Sequence, residues 1–196
     1  MRYQVTERLT GRTRWIDPVT RIAEWRLGEL VYPVAVDVTV TESIVAGVDD
    51  GRAVDASASQ FWYPNYDNID FVDNDEPAWR FQTVDVPQAA TIDSATLTLS
   101  VTWAAATAAI GTIFGEDVDD AASWADASAN GPSRMTRTAA SAAFGPYATT
   151  GLKTVTVTSL VQEIVDRAGW VSGNDMRLGV NLETPAVGGY TFFEDF

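Results

Sequence analysis

The sequence contains no cysteine and no histidine, and Lys153 is its single lysine. Without cysteine there is no disulfide framework, no thiol nucleophile and no cysteine-based zinc site. Without histidine there is no Ser-His-Asp triad, no imidazole base near neutral pH and no HExxH metalloprotease site. An enzyme built from this chain would have to work with carboxylates, tyrosine or that one lysine.

Long apolar runs are missing as well. No stretch of the sequence approaches the ~18 apolar residues that a membrane-spanning helix needs. Residues 1–7 are not followed by the apolar core of a secretory signal. We therefore expect a protein with no membrane partner and no export signal.

The charge is strongly acidic and unevenly distributed. The 196 residues carry 13 Lys and Arg against 27 Asp and Glu, a net charge of -14. Such a surface repels a phosphate backbone, so we expect no nucleic-acid partner. Residues 1–42 hold six arginines and six acids, so the whole excess lies beyond them. An ordinary domain kept dispersed by self-repulsion explains this pattern, as does a division into two functional parts.

The two-part reading places an N-terminal docking arm at 1–42 and a β-sandwich domain at 43–196. The arm is expected to be extended, although a short helix after Pro18 is an open alternative. Its candidate assembly residues are Trp15, Arg21 and Trp25. They combine aromatic rings and a guanidinium, which are enriched at the centres of protein interfaces.

Alternating apolar and polar residues predict short β-strands. The clearest runs over 96–103 and places Leu97, Leu99, Val101 and Trp103 on one face. Further strands are predicted at 34–40, 79–81, 110–114, 154–157 and 176–182. Turn-rich stretches separate them, as at 49–51 and 73–77. This pattern predicts an all-β fold, an antiparallel jelly-roll-like β-sandwich.

One short helix is predicted over about 159–168. Its apolar face carries Leu160, Val161, Ile164 and Val165. Ser159 and Gln162 have the spacing of a capping box, and Gly169 is the expected C-cap. We expect the helix to cover one open end of the sandwich, with Trp170 folded back as an apolar plug.

From Ile44 onward the order of several motifs is distinctive. The most specific is LVQEIVDRAGWVSGN at 160–174, and the others are VDD at 48–50, WRF at 79–81, VPQAATIDSATL at 86–97, IFGE at 113–116 and SRMTRT at 133–138. In this order the chain resembles the carbohydrate-binding-module-like (DNRLRE-type) β-sandwich domains of bacterial surface and phage virion proteins. The resemblance implies the fold and no particular activity. A closing strand usual in that family is missing after 193–196, which implies an open sheet edge beside 192–196.

Charged residues within these motifs have simple structural interpretations. Arg80 is expected to face away from its aromatic neighbours and to pair with a carboxylate such as Glu116 or to cap backbone carbonyls. Glu163 can reach Arg167 at i+4 on the helix. Neither arrangement requires a catalytic role, and we expect no catalytic residue.

Acidic clusters raise the question of calcium. Glu116, Asp117, Asp119 and Asp120 are candidate ligands. Oxygen-rich stretches also occur at 67–70 and 73–76. Calcium takes six to eight oxygen ligands, and none of these stretches fits an EF-hand loop. The sequence therefore leaves open whether these acids bind a structural calcium ion or lie in solvated loops without a metal. No other cofactor is expected.

The densest aromatic stretch lies at 61–66, in a predicted loop or edge strand. Phe61, Trp62, Tyr63 and Tyr66 could stack on sugar rings or anchor a protein partner. The alternative is that Trp62 or Tyr63 belongs to the core.

These features predict a non-enzymatic structural protein of a phage virion, such as a capsid decoration, neck or tail component. It would dock by its arm on other virion proteins, form a homo-oligomer and present the acidic sandwich outward. It would be assembled in the host cytoplasm and located in the virion. The alternative is an extracellular or cell-surface carbohydrate-binding module that attaches to a surface polysaccharide.

Overall fold

The computed structural model describes residues 3–6, 13–16, 39–54, 61–64, 69–72, 75–104, 110–124, 131–132, 135–184 and 190–194. Its contacts divide the chain into two units, Met1–Thr41 and Glu42–Phe196. In the first unit, β1 (Tyr3–Thr6) and β2 (Thr13–Ile16) form an antiparallel pair. The arm that was predicted as extended therefore contains a paired ribbon.

The second unit is a β-sandwich. Its elements are β3 (Asp50–Val54), β4 (Phe61–Pro64), β5 (Ile69–Val72), β6 (Glu76–Phe81), β7 (Thr96–Ala104), β8 (Ile110–Glu116), β9 (Arg137–Phe144), β10 (Gly151–Thr156), α1 (Thr158–Val165), β11 (Met176–Thr184) and β12 (Tyr190–Phe193). A four-stranded sheet has the order β10-β7-β12-β5, and a six-stranded sheet has the order β4-β3-β6-β11-β8-β9. All pairings are antiparallel. The predicted all-β antiparallel sandwich with one short helix is confirmed for the described residues, and its jelly-roll topology stays a prediction.

The main core lies between the two sheets. In β7, the alternating residues Leu97, Leu99 and Val101 are buried, as the sequence pattern predicts. They meet apolar residues of the opposite sheet, including Ile113 and Val180. Burying one such side chain contributes about 1.5–3 kcal/mol, so these alternating positions hold the two sheets together.

Aromatic rings fill the centre of this core. Trp79 and Phe193 meet edge to face with their ring centroids 5.9 Å apart. Phe144 contacts Phe71 in the same geometry at 5.4 Å. Edge-to-face contacts place a positive ring edge against a negative ring face, which adds about 0.5–1.5 kcal/mol to area burial.

The helix starts and ends earlier than predicted. It begins at Thr158, follows Val157 as N-cap without a side-chain capping bond, and is C-capped by Asp166 rather than Gly169. The predicted capping box is therefore wrong.

Gln162 bonds the crossing segment 90–92 instead of the helix terminus. Its amide nitrogen donates to the Ala90 carbonyl at 3.0 Å, and its oxygen accepts from the Ile92 N–H at 2.8 Å. This backbone has no sheet partner of its own there, so the amide satisfies a donor and an acceptor at once.

The helix also covers the edge strand β9. Both carboxylate oxygens of Glu163 accept backbone N–H groups, from Ala139 and from Ala140, at 2.7 Å each. The predicted pair between Glu163 and Arg167 is therefore wrong, because the glutamate is committed to the sheet edge.

Trp170 behaves as the predicted plug. Its side chain is 1% exposed and packs with Ile164, Val165 and Met176 beside the helix. Its indole N–H donates to the Val86 carbonyl at 2.8 Å. A buried indole is stable when this one polar group has a partner, so the plug is both apolar and hydrogen-bonded.

Strand β12 lies in the interior of the four-stranded sheet and not at its edge. β12 pairs with β7 on one side and with β5 on the other. The predicted open edge beside 192–196 is therefore wrong for 192–193, and residues 195 and 196 lie outside the described residues. Among the described strands, β10 and β5 are the edges of this sheet. Of the strand predicted at 34–40, Thr39 and Val40 are not in a strand, and the rest lies outside the described residues.

Candidate functional site

Two arginines lie side by side on the outer face of the six-stranded sheet. Arg80 of β6 is directly opposite Arg177 of β11. Like charges in this position repel each other, so each guanidinium requires carboxylates of its own.

Arg80 is held from three directions. It pairs with Asp49 at 2.5 Å and with Asp175, and its Nε donates to the Ala121 carbonyl at 2.8 Å. Capping of a backbone carbonyl is confirmed, whereas Glu116 as the carboxylate partner is wrong. Asp49 is 0% exposed. Its buried charge is tolerated because it is paired with the Arg80 guanidinium.

Arg177 takes Glu116 instead. The two groups lie 2.7 Å apart, and the guanidinium stacks on the Trp124 ring at 3.7 Å from its centroid. Burial raises the pKa of Glu116 above its ordinary value, and attraction to Arg177 offsets this only in part. Burial likewise lowers the pKa of Arg177. Burial therefore outweighs the ion pair in setting the direction of both pKa shifts.

The calcium candidates are engaged with protein groups. Glu116 faces Arg177, while Asp117 and Asp119 both pair with Arg167. Asp120 accepts the Asp175 N–H at 2.9 Å. No group of three acidic side chains that could hold a metal occurs among the described residues.

The oxygen-rich stretches at 67–70 and 73–76 are described only in part. Asp70 and Asp75 both lie within 4 Å of Arg52. Residues 67, 68, 73 and 74 lie outside the described residues.

Together these contacts tie the loop 116–124 to the sheet. We call the set formed by Arg80, Arg167, Arg177 and their carboxylates the arginine network. In addition, the Asn174 side chain donates to the Asp119 carbonyl at 2.9 Å, and the Ala121 N–H donates to the Asp175 carbonyl at 3.0 Å. The arginine network therefore holds this loop in one position.

The aromatic stretch predicted to contact sugar or a partner lies on an edge strand. Phe61, Trp62 and Tyr63 belong to β4, which among the described strands pairs with β3 alone, at the border of the six-stranded sheet. Tyr66 lies outside the described residues. An edge strand was one of the predicted locations, and the function of these residues stays a prediction.

The predicted assembly residues fall mostly outside the described part. Trp15 lies in β2, opposite Gln4 of β1. Arg21 and Trp25 lie outside the described residues. Their docking role stays a prediction.

A pair of rings that the sequence did not predict lies on the outer face of the four-stranded sheet, formed by the exposed Trp103 and the half-buried Phe192. Alternation predicts Trp103 on the buried face, but a bulge places Phe193 opposite Val101 and Phe192 opposite Trp103, with Thr102 as the extra residue. Trp103 is consequently 45% exposed. Its ring lies 5.2 Å from that of Phe192 at an angle of 30°. We call Trp103 and Phe192 the aromatic pair.

The only sequence signal for this pair is the Phe192-Phe193 dipeptide. Adjacent strand residues point to opposite faces, so one of two neighbouring phenylalanines must leave the core. The bulge itself leaves no trace in the alternation of 96–103.

Comparisons with known proteins add no relative. No protein-family model matches the chain, and no curated protein matches it significantly. The resemblance to DNRLRE-type domains therefore stays a prediction. Within the described part of the chain, no helix is both long and apolar enough to span a bilayer.

Proposed function

We propose that the protein is a non-enzymatic structural component of a phage virion, which docks through its first unit and presents its sandwich outward. The supporting observation is the division of charge between the two units. Met1–Thr41 holds six arginines and five acids, whereas Glu42–Phe196 holds seven cations and 22 acids. The sandwiches of neighbouring copies repel each other, so the first unit is the part of the chain suited to close contact.

The arginine network supports the same proposal. Its acidic side chains, among them Asp49, Asp175 and Glu116, hold the loop 116–124 in position through the arginines. An outward domain with a large net negative charge stays soluble while it is displayed at high local concentration.

The experiment uses an antibody against the full chain. Phage particles from a culture of cells that produce this chain are separated on a density gradient, and the antibody is used to detect the chain in each fraction. We expect it to sediment with intact particles. Its presence in the unassembled fraction alone would reject a virion role.

Matched variants test the docking unit. Trp15→Ala and Trp25→Ala are compared with Thr154→Ala, which alters an exposed residue of the sandwich. We expect the tryptophan variants to lose particle association while the Thr154 variant retains it. Equal association of all three would remove the docking role from the first unit.

Attachment to a surface glycan is the second candidate, and the aromatic pair favours it. The exposed Trp103 ring can pack against the apolar face of a sugar. Thr98 of β7 and Thr154 of β10 add exposed hydroxyl side chains on adjacent strands of the same sheet. A glycan array with the full chain tests this function, with Trp103→Ala as the probe and Val171→Ala, another exposed apolar residue, as control. Binding that survives only in the control supports attachment through the pair.

A further inference from the structure

Strand β12 runs beside only one half of β7. Its pairing with β7 ends where Phe193 lies opposite Val101, and one further bond joins the Glu194 N–H to the Ser100 carbonyl at 2.9 Å. On its other side, β7 is paired with β10 along the whole stretch 96–101. Within the described residues, no strand lies beside 96–99 on the β12 side. We call this stretch the uncovered edge of β7.

The uncovered edge presents main-chain groups for pairing. The Ser100 carbonyl faces the β12 side, because it accepts from Glu194. In an antiparallel sheet the main-chain groups of alternate residues face the same side, so those of Thr98 and Thr96 face it too. Both threonines are exposed. Such an edge is a template on which an extended peptide can add a strand.

A cavity of about 250 Å³ lies at the same place. Its walls include Thr98 and Leu99 of β7, the apolar side chain of Ile44, and the Trp79 ring. Two carboxylates complete it, those of Asp50 and Glu194. Asp50 is 2% exposed and lies opposite Trp79 in the six-stranded sheet, so one acid is deep and the other stands near the entrance.

The composition of the cavity selects a cationic side chain. Apolar walls suit an aliphatic stem, carboxylates suit a charged head, and an aromatic ring favours a guanidinium. One water takes up about 30 Å³, so a lone metal ion is small for this space. An arginine on an added strand would place its stem between Ile44 and Leu99.

We propose that the uncovered edge of β7 accepts an extended strand from the first unit of a second copy of this chain, with one arginine entering the cavity towards Asp50 and Glu194. Charge complementarity identifies the occupant, since residues 1–41 hold six of the twelve arginines of a chain whose other unit carries 22 acids. The inference rests on the proposed assembly function and names the site through which copies join.

Site-directed photo-cross-linking tests the occupant. The chain has no cysteine, so Thr98→Cys gives a single attachment point for a benzophenone maleimide. Labelled ¹⁵N chains are mixed with unlabelled ¹⁴N chains without cysteine, illuminated and digested, and the isotope content shows whether the joined peptides come from different copies. Ala143→Cys, exposed on β9, is the matched control. We expect cross-links between copies from position 98 to peptides of residues 1–41, and none of these from position 143.

Charge variants test the cavity in the full chain. Glu194→Gln changes an exposed residue, Asp50→Asn keeps the shape of the buried one, and Asp93→Asn is an exposed control. We expect the first two to reduce the cross-link yield about tenfold or more, and the control to leave it unchanged. If Asp50→Asn fails to fold, Glu194→Gln alone decides.

Several outcomes would overturn the inference. They are cross-links to residues 195–196, cross-links to residues 1–41 of the same copy, an unrelated basic protein at position 98, no product at all, or an unchanged yield in Glu194→Gln. If the chain nevertheless sediments with particles, the proposed function stands and only this site is wrong. If it does not sediment with particles but the cross-links form, the chain assembles with itself outside a virion.

Discussion

Replacement of Glu163 by alanine should destabilise the sandwich at a defined place. Near Ala139 and Ala140 the register between β8 and β9 shifts, since Glu116 lies opposite Arg137 while Phe114 lies opposite Ser141. This irregularity turns two consecutive N–H groups towards the helix, where the carboxylate accepts both at 2.7 Å. The glutamate therefore holds the helix and the edge strand together.

The expected loss follows from these two bonds. A hydrogen bond to a charged group contributes about 1.5–3 kcal/mol. Because Glu163 is only half-buried, water replaces part of this, and we expect a total of about 2–3 kcal/mol. In a unit the size of Glu42–Phe196, each kcal/mol shifts the Tm by about 2–4 °C. Glu163→Ala should thus lower the Tm by roughly 4–12 °C.

Circular dichroism melts and urea titrations of the full chain measure this loss. Glu163→Gln keeps one acceptor oxygen and should lose about half as much, whereas the exposed control Asp93→Ala should stay within about 0.5 kcal/mol of the unaltered chain. Amide exchange adds a local readout, because Ala139 and Ala140 should lose protection in Glu163→Ala. A Glu163→Ala chain as stable as the Asp93 control, with both amides still protected, would refute this reasoning.

Three further predictions follow from the core and the arginine network. Gly111→Ala should lose about 1–3 kcal/mol in urea titrations, because the added Cβ would lie 2.6 Å from the Asn181 carbonyl oxygen and 2.8 Å from the Val180 side chain; an unchanged midpoint would show that β8 and β11 can separate. Trp170→Phe should lose at least about 1 kcal/mol, because it removes the bond to the Val86 carbonyl and replaces the buried indole by a smaller ring; no loss would show that neither the bond nor the full indole contributes to stability. Burial raises the pKa of Glu116 above its ordinary value of 4.5, so the folded chain binds the proton of this carboxyl group more tightly than the unfolded chain does. The protonated group therefore stabilises the fold fully below pH 4.5, and this stabilisation is lost as the pH rises through the raised pKa. The stability of the unaltered chain relative to Glu116→Gln should therefore fall as the pH rises above 4.5, and a rise in this relative stability would contradict the direction of the shift.

Alternation of apolar and polar residues in the sequence predicts those strands that have large apolar residues on one face. β7 and β11 follow the pattern almost to their ends, because buried leucine and valine at every second position leave one arrangement of the strand. β9 has no such pattern, since its residues between Thr138 and Phe144 are alanines and one serine. Its place in the sheet is determined by neighbours distant in sequence, which a local pattern does not contain.

The partners of charged residues were the least predictable part. Arg80 was correctly expected to face away from Trp79, because neighbouring strand residues point to opposite faces. Its carboxylates, Asp49 and Asp175, come from positions 31 and 95 residues away. The sequence holds 27 acids, so it offers too many equivalent candidates for any one to be selected without the register of the sheet.

The internal use of the cations sharpens the charge contrast on which the assembly proposal depends. Among the described residues, four of the seven cations in Glu42–Phe196 form ion pairs with acids of the same unit, namely Arg52, Arg80, Arg167 and Arg177. Few cations therefore remain to balance the other acids on its surface. Two such surfaces approach each other only against repulsion, whereas a strand bearing arginine is drawn towards the same field. Met1–Thr41 is the unit in which acids do not outnumber arginines, with six arginines against five acids, which is why contact between copies is expected through that unit.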